Sequence, residues 1–179
     1  MTAFPPNAAW DFALRLYRAP GVAPACLDLQ ERHGVDVTLM LFCLWHGTVS
    51  DRPLAENLPA LAAAALAWHR ATVLPIRAAR RWLKQDAEGL EQPAATALYK
   101  TVLAAEIDCE HAELLMLVQR AQALCATPGG GGPFPATMAE NLTAFFEVSG
   151  VSLAAEDRPA VGALLEAAGA AEEIVRILP

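Results

Sequence analysis

The segment Asp36–Gly47, which reads DVTLMLFCLWHG, decides how the rest of the chain can fold. Asp36 is a favourable N-cap because its carboxylate can accept hydrogen bonds from the free backbone N–H groups of a first helical turn. Gly47 can adopt the left-handed conformation that ends a helix. The side chains between them are apolar in nearly every direction, as in a helix buried on all sides, and the segment is shorter than the roughly 20 apolar residues that span a bilayer. We therefore predict a central helix surrounded by other helices.

The composition favours helices throughout. The 179 residues fit one domain, and 55% of them are hydrophobic, with Ala and Leu prominent and no β-branched runs. The fold class that we predict is all-α: a mostly antiparallel bundle around the central helix, with a small C-terminal helical appendage.

The charge and the cysteines limit the functional classes. The net charge of −7 argues against binding to nucleic acid and to anionic membrane surfaces, both of which require basic residues. The N-terminal residues lack the pattern of a signal peptide. No C-x-x-C motif occurs, and we interpret the four cysteines as reduced thiols of a cytoplasmic protein; they are Cys26, Cys43, Cys109 and Cys125.

Further helices are predicted on both sides of the central one. Residues 8–18 and 22–33 precede it, and a long helical pattern covers residues 54–87, in which Ala65, Thr72, Ile76 and Leu83 repeat at helical spacing. Pro75 lies inside this pattern, so we expect a kink or a break there. A turn at Glu88-Gly89 leads to a long helix from Pro93 to about Cys125, and the two long helices should form an antiparallel hairpin.

The last third of the chain begins with a Gly/Pro-rich segment. We predict a helical core at 1–127, a linker at 128–135 and an acidic tail of short helices at 136–179. Thr137 and Glu140 have the spacing of a capping box. The tail is expected to pack on the core through Leu142, Phe145 and Phe146, the alternative being a semi-independent acidic module.

Charged residues interrupt the apolar face of the predicted hairpin. Glu106, Glu110 and Glu113 share the apolar stripe of the second helix, and opposing residues of the hairpin should have numbers that sum to about 179, which places Glu110 level with His69. A buried carboxylate must be paired or protonated. We therefore predict ion pairs of Glu106 and Glu110 with bases of the first helix, namely His69, Arg70, Arg77 or Arg80.

The pattern leaves three interpretations of this cluster. It could fix the helix register through structural ion pairs, which is the interpretation that we favour, or it could bind a small polar ligand through His69, Arg77, Arg80, Glu106, Glu110 and Glu113. A metal site is the third, but helical di-metal sites repeat Glu-x-x-His, whereas here Asp108-x-x-His111 occurs once and on the opposite face. We predict no metal, no cofactor and no catalytic residue.

Several segments resemble a known family. They are Trp10–Leu14, Gly21-Val22, Cys26–Gln30, His33–Val37, Leu41–Trp45, Val73–Lys84, Leu98-Tyr99, and Glu106 with Glu110. Over roughly Phe4 to Leu124 the chain resembles a family of small bacterial conserved hypothetical proteins, a domain of unknown function. The resemblance implies an all-helical bacterial cytoplasmic protein and brings no established activity with it.

Two functions follow from these observations. Because no nucleophile pattern, metal set or phosphate loop is recognisable, we favour a non-enzymatic interaction or regulatory module, with a protein partner or a second copy of the chain. The alternative is a small polar ligand-binding or enzymatic protein that uses the Arg/Glu cluster between the helices.

Overall fold

The computed structural model describes residues 4–85, 90–124 and 132–178, and within these ranges the chain is helical and has no strand. The all-α prediction is therefore confirmed. No helix of the described part is long and apolar enough to cross a membrane. The helices are α1 Ala8–Tyr17, α2 Val22–His33, α3 Val37–Val49, α4 Leu58–Trp68, α5 Leu74–Gln85, α6 Gln92–Leu124, α7 Pro135–Val148, α8 Arg158–Ala168 and α9 Ile174–Ile177, with a π-helical turn at His69–Val73 and 3-10 turns at Ala155–Asp157 and Ala171–Glu173.

Helix α3 is central, as predicted. Asp36 caps it, because its Oδ1 accepts hydrogen bonds from the backbone N–H of Thr38 at 2.9 Å and of Leu39 at 3.2 Å. Every residue from Thr38 to Leu44 is buried. The predicted end at Gly47 is wrong: α3 continues to Val49, and Ser50 follows in an extended conformation.

Gly47 serves close packing instead of helix termination. A Cβ atom at this position would lie 2.5 Å from Met138 Cγ and 2.8 Å from the Met138 backbone nitrogen. Only a residue without a side chain allows α7 to come this near to α3. The Gly47 carbonyl also accepts a hydrogen bond from the Phe134 N–H at 2.7 Å.

Asn141, a buried residue of α7, also stabilises the contact between α3 and α7. Asn141 Oδ1 accepts from the Leu54 N–H at 2.7 Å, and its Nδ2 donates to the Cys43 carbonyl at 3.1 Å. The predicted capping box does not form, because Thr137 already lies inside α7 and its hydroxyl donates to the Asp51 carbonyl at 3.1 Å. Leu142, Phe145 and Phe146 join the same hydrophobic core as α3.

The C-terminal helices reach α2 as well. Asp157 is fully buried, and its carboxylate lies 2.6 Å from Arg32 Nη1 and 2.8 Å from His33 Nε2. Burial acts to raise the pKa of Asp157, but the hydrogen bond from the Ala154 N–H and the two bases of α2 outweigh it and hold that pKa below its ordinary value. The predicted division at 128–135 stays a prediction: residues 125–131 lie outside the described part, and Pro135 already belongs to α7.

The helical pattern predicted for residues 54–87 is interrupted just before Pro75, as expected. Helix α4 starts at Leu58 rather than at Leu54, and a π-helical turn separates it from α5. The Leu74 N–H donates to the His69 carbonyl, five residues earlier, immediately before Pro75, which has no N–H to donate. Val73 is the buried residue of this turn.

Helices α5 and α6 form the predicted antiparallel hairpin. Trp68 Nε1 donates to the Cys109 carbonyl at 3.0 Å, and residues farther along α5 contact earlier residues of α6. Helix α5 has no buried residue, and Trp82 near its end is 56% exposed. The predicted turn at Glu88-Gly89 and Cys125 lie outside the described residues.

Candidate functional site

A cavity of about 410 Å³ lies between α1, α2, α3, the π-helical turn with α5, and α6. One part of its wall is apolar and another part is charged. The apolar side chains come mainly from α1, α3 and α6; they include Trp10, Leu14, Tyr17, Leu27, Leu41, Leu103 and Ile107.

The charged part of the wall is an ion-pair network between α5 and α6, called here the arginine–glutamate network: Arg77, Arg80, Glu106 and Glu110. Arg77 Nε donates to Glu106 Oε1 at 2.8 Å, and Arg77 Nη2 donates to Glu110 Oε1 at 2.7 Å. Arg80 donates to Glu106 through Nε and, at 3.3 Å, through Nη2. The ion pairs predicted for Arg77 and Arg80 are therefore present. Their role in ligand binding stays a prediction.

The two glutamates of the network differ in their electrostatics. Burial acts to raise the pKa of Glu106, but the hydrogen bonds and charges of Arg80 and Arg77 prevail and hold it below its ordinary value. The pKa of Glu110 is raised, because burial and the neighbouring Glu106 charge outweigh its single arginine. The network thus keeps one carboxylate firmly ionised and leaves the other easier to protonate.

A second group of polar side chains lies where the π-helical turn meets α3 and α6; it is called here the Asp36–His69–Glu113 cluster. His69 Nδ1 lies 3.6 Å from Asp36 Oδ2 and 3.7 Å from Glu113 Oε2. Asp36 and His69 line the cavity, and Glu113 is fully buried next to them.

The cluster corrects one prediction. His69 was placed level with Glu110, whereas it faces Glu113, one turn farther along α6. A helical side chain leans towards the N-terminus of its own helix, so the Glu113 carboxylate lies nearer the level of residue 110 than its Cα does. Arg70 is exposed and takes no part in the ion pairs of Glu106 and Glu110 that the structure describes.

Sequence reasoning overlooked Asp36 as a member of this site. Its Oδ1 caps α3, which was predicted, while its Oδ2 lies against His69. Asp36 and Glu113 are far apart in the sequence, and their proximity in space depends on how α3 packs on α6. No local sequence pattern predicts that packing. The N-cap pattern predicts the backbone conformation of Asp36 but not that its side chain lies beside His69 and Glu113.

Burial also sets the state of the other titratable groups at the cavity. It lowers the pKa of His69, which favours the neutral imidazole, and it raises the pKa of the Cys26 thiol to about 12. A thiol in that state is a poor nucleophile. His111 stacks on Trp10 with ring centroids 4.3 Å apart and 6° between the rings.

The comparisons with known proteins place the chain in a family. The model of the family described as "Protein of unknown function (DUF2390)" matches residues 8–117, which is 110 of the 179 residues. The chain belongs to this family. The match includes α1 to α5 and every residue of the arginine–glutamate network and of the Asp36–His69–Glu113 cluster. No curated protein and no solved structure matches the chain.

Proposed function

We propose that this member of the DUF2390 family binds a small amphipathic molecule, with an apolar body and an acidic head group, in the cavity between α1, α2, α3, α5 and α6. The observation that supports the proposal is the cavity itself. Its volume of about 410 Å³ falls within the range of about 300–1,000 Å³ that is typical of small-molecule sites. An apolar wall beside a few convergent polar groups is the usual composition of such a site.

The balance of donors and acceptors favours an acidic head group. Glu106 accepts three hydrogen bonds from Arg77 and Arg80, whereas each guanidinium carries five N–H donors, of which each uses two in the bonds described here. Arg81 also lines the cavity and is exposed. The unused capacity of this wall consists mainly of donors, which suits a carboxylate or a phosphate.

Octanoate and 1-octanol are the probes for the test, because they share the apolar chain and differ in the acidic group. We expect octanoate to raise the melting temperature of the full chain more than octanol does. Arg80→Gln should abolish this difference, and Arg120→Gln, which changes an exposed arginine of α6 outside the cavity, should keep it. Comparing ligand-induced shifts within each variant removes the effect of the substitution on stability.

Two results would count against the proposal. One is the absence of any shift with either probe, together with native mass spectra in which the gently purified protein carries no small-molecule adduct. The other is an octanoate shift that Arg80→Gln leaves unchanged, since binding would then occur away from the charged wall.

A second candidate is the non-enzymatic interaction or regulatory module of the cytoplasm. It is supported by the exposed apolar side chains along the hairpin of α5 and α6, among them Leu74, Trp82 and Leu98. The partner would be a second copy of this chain. Sedimentation equilibrium of the wild type and of Trp82→Ser tests it: a dimer that weakens on substitution supports this function, and a wild-type monomer excludes it.

A further inference from the structure

The geometry points to a site for one divalent transition-metal ion held by Asp36, His69 and Glu113 at the inner end of the cavity. This inference goes beyond the proposed ligand function and does not depend on it, because none of the three residues belongs to the arginine–glutamate network. No metal was predicted here, because the sequence lacks the repeated Glu-x-x-His motif of helical di-metal sites.

The distances between the three side chains are close to those of a ligand set. One ligand atom from each residue lies within 4.8 Å of the other two, and the two pairs that include His69 Nδ1 are separated by 3.6 Å and 3.7 Å. Metal–ligand bonds of about 2.1 Å separate neighbouring ligand atoms by about 3.0–3.4 Å in octahedral or tetrahedral geometry. The two distances from His69 Nδ1 therefore exceed those of a coordinated ion by only a few tenths of an ångström.

The hydrogen bonding provides an independent observation. Glu113 is 0% exposed, and no N–H or O–H donor of the described part of the chain reaches either of its oxygens; besides His69, the Asp36 carboxyl group is its polar neighbour. The buried Asp36 Oδ2 and His69 Nδ1 are without partners by the same criterion. Buried polar atoms nearly always have a hydrogen-bond partner, and a group without one indicates a bound ion, a water molecule or a proton. Each of the three residues contributes at least one such atom to the cluster.

The surrounding structure holds these ligands in place. The capping bonds to Asp36 Oδ1 leave Oδ2 available, and the π-helical turn carries His69. Single π turns occur frequently at functional sites. Because Asp36 and His69 also line the cavity, the remaining coordination positions of the ion would be open to water or to a bound molecule.

The donor atoms select the class of metal. One imidazole nitrogen with two carboxylates suits Mn²⁺, Fe²⁺ or Zn²⁺, whereas Mg²⁺ and Ca²⁺ prefer sites made of oxygen alone. The competing explanation is that the Asp36 and Glu113 carboxyl groups share a proton in place of a metal. The experiment separates the two.

The full chain is stripped with a chelator and titrated with Mn²⁺ and with Zn²⁺ in a calorimeter. We expect uptake of one ion per chain for at least one of the two metals. Glu113→Gln should weaken that binding by about 100-fold or more, as expected from the loss of a direct ligand when even outer partners are worth about 10–100-fold. Glu147→Gln, an exposed glutamate on α7, should leave it unchanged.

Co²⁺ provides a second measurement that does not depend on the fold of one variant. Wild-type protein loaded with Co²⁺ should show visible absorption bands that His69→Gln alters. Failure of the wild type to bind any of these ions overturns the inference in favour of the shared proton, and binding that Glu113→Gln and His69→Gln both leave intact overturns it as well. The octanoate test on Glu113→Gln keeps the two proposals apart, because the ligand-induced shift should survive in metal-free protein.

Discussion

The two polar groups on the inner face of α6 solve the same problem in opposite ways. In the arginine–glutamate network, Glu106 is 4% exposed and receives hydrogen bonds from two guanidinium groups. In the Asp36–His69–Glu113 cluster, two turns farther along the same helix, Glu113 is buried completely and receives none that the structure describes. The guanidinium groups offset the cost of burying the Glu106 carboxylate. At Glu113, burial and the neighbouring Asp36 raise the pKa to about 10, so that in the absence of a bound cation protonation avoids this cost.

The largest loss of stability is expected when Glu106 is replaced by glutamine. Glu106→Gln removes the charge that compensates Arg77 and Arg80, and we expect a loss of about 2–4 kcal/mol in the free energy of unfolding, near the cost of breaking a buried pair. Urea denaturation at pH 7 measures the loss, with Glu147→Gln as the exposed control. A loss below that of the control would mean that the network does not stabilise the fold.

The same variant should show a characteristic pH dependence. The pKa of Glu106 lies below its ordinary value in the folded protein, so its contribution is complete above the unfolded pKa of about 4.3 and is lost as the pH falls through the folded value. The gap in stability between the wild type and Glu106→Gln should therefore be constant near pH 7 and narrow below about pH 4. The charged and titratable groups that interact with Glu106 are Arg77, Arg80, Glu110 and His69, and Tyr99 lies beside Arg80.

A gap that widens on acidification would contradict the pairing and would indicate a carboxyl that is protonated in the folded state. Denaturation curves at several pH values between 7 and 3 are sufficient to show whether the stability gap narrows or widens on acidification.

The smallest change in stability is expected when Glu113 is replaced by glutamine. In metal-free protein, Glu113→Gln should change the free energy of unfolding by less than about 1 kcal/mol, since it removes no described hydrogen bond and preserves the shape of the side chain. Thermal unfolding in the presence of a chelator measures this. A loss as large as that of Glu106→Gln would show that Glu113 has a stabilising partner, and the contrast between the two groups would disappear.

The sequence was sufficient for what depends on local chemistry and helical period. The Asp36 cap, the burial of α3 and the hairpin with its Arg77–Glu106 and Arg80–Glu106 pairs all follow from side chains that lie a few turns apart or on adjacent helices. Three features depend on packing between distant segments and were missed. These are the approach of Met138 to Gly47, the position of Asp36 beside His69 and Glu113, and the apolar side chains that α1, α2 and α3 contribute to the cavity.

The π-helical turn has a consequence for the angular phase of α5. In an uninterrupted α-helix, which turns about 100° per residue, Arg77 and Arg80 would lie about 120° and 60° from the buried line through Ala65. A π turn absorbs one residue, so both positions rotate back by about 100° and come to within about 40° of that line. The arginines thus face Glu106 because the π turn accommodates one residue more than a regular α-helix would, without rotating α5 away from α6. Deleting a single residue from His69–Val73 would convert the π turn into an ordinary α-helical turn and leave both arginines within about 40° of the same line, whereas deleting a residue from α5 itself, before Arg77, would lose that phase only if the π turn were kept.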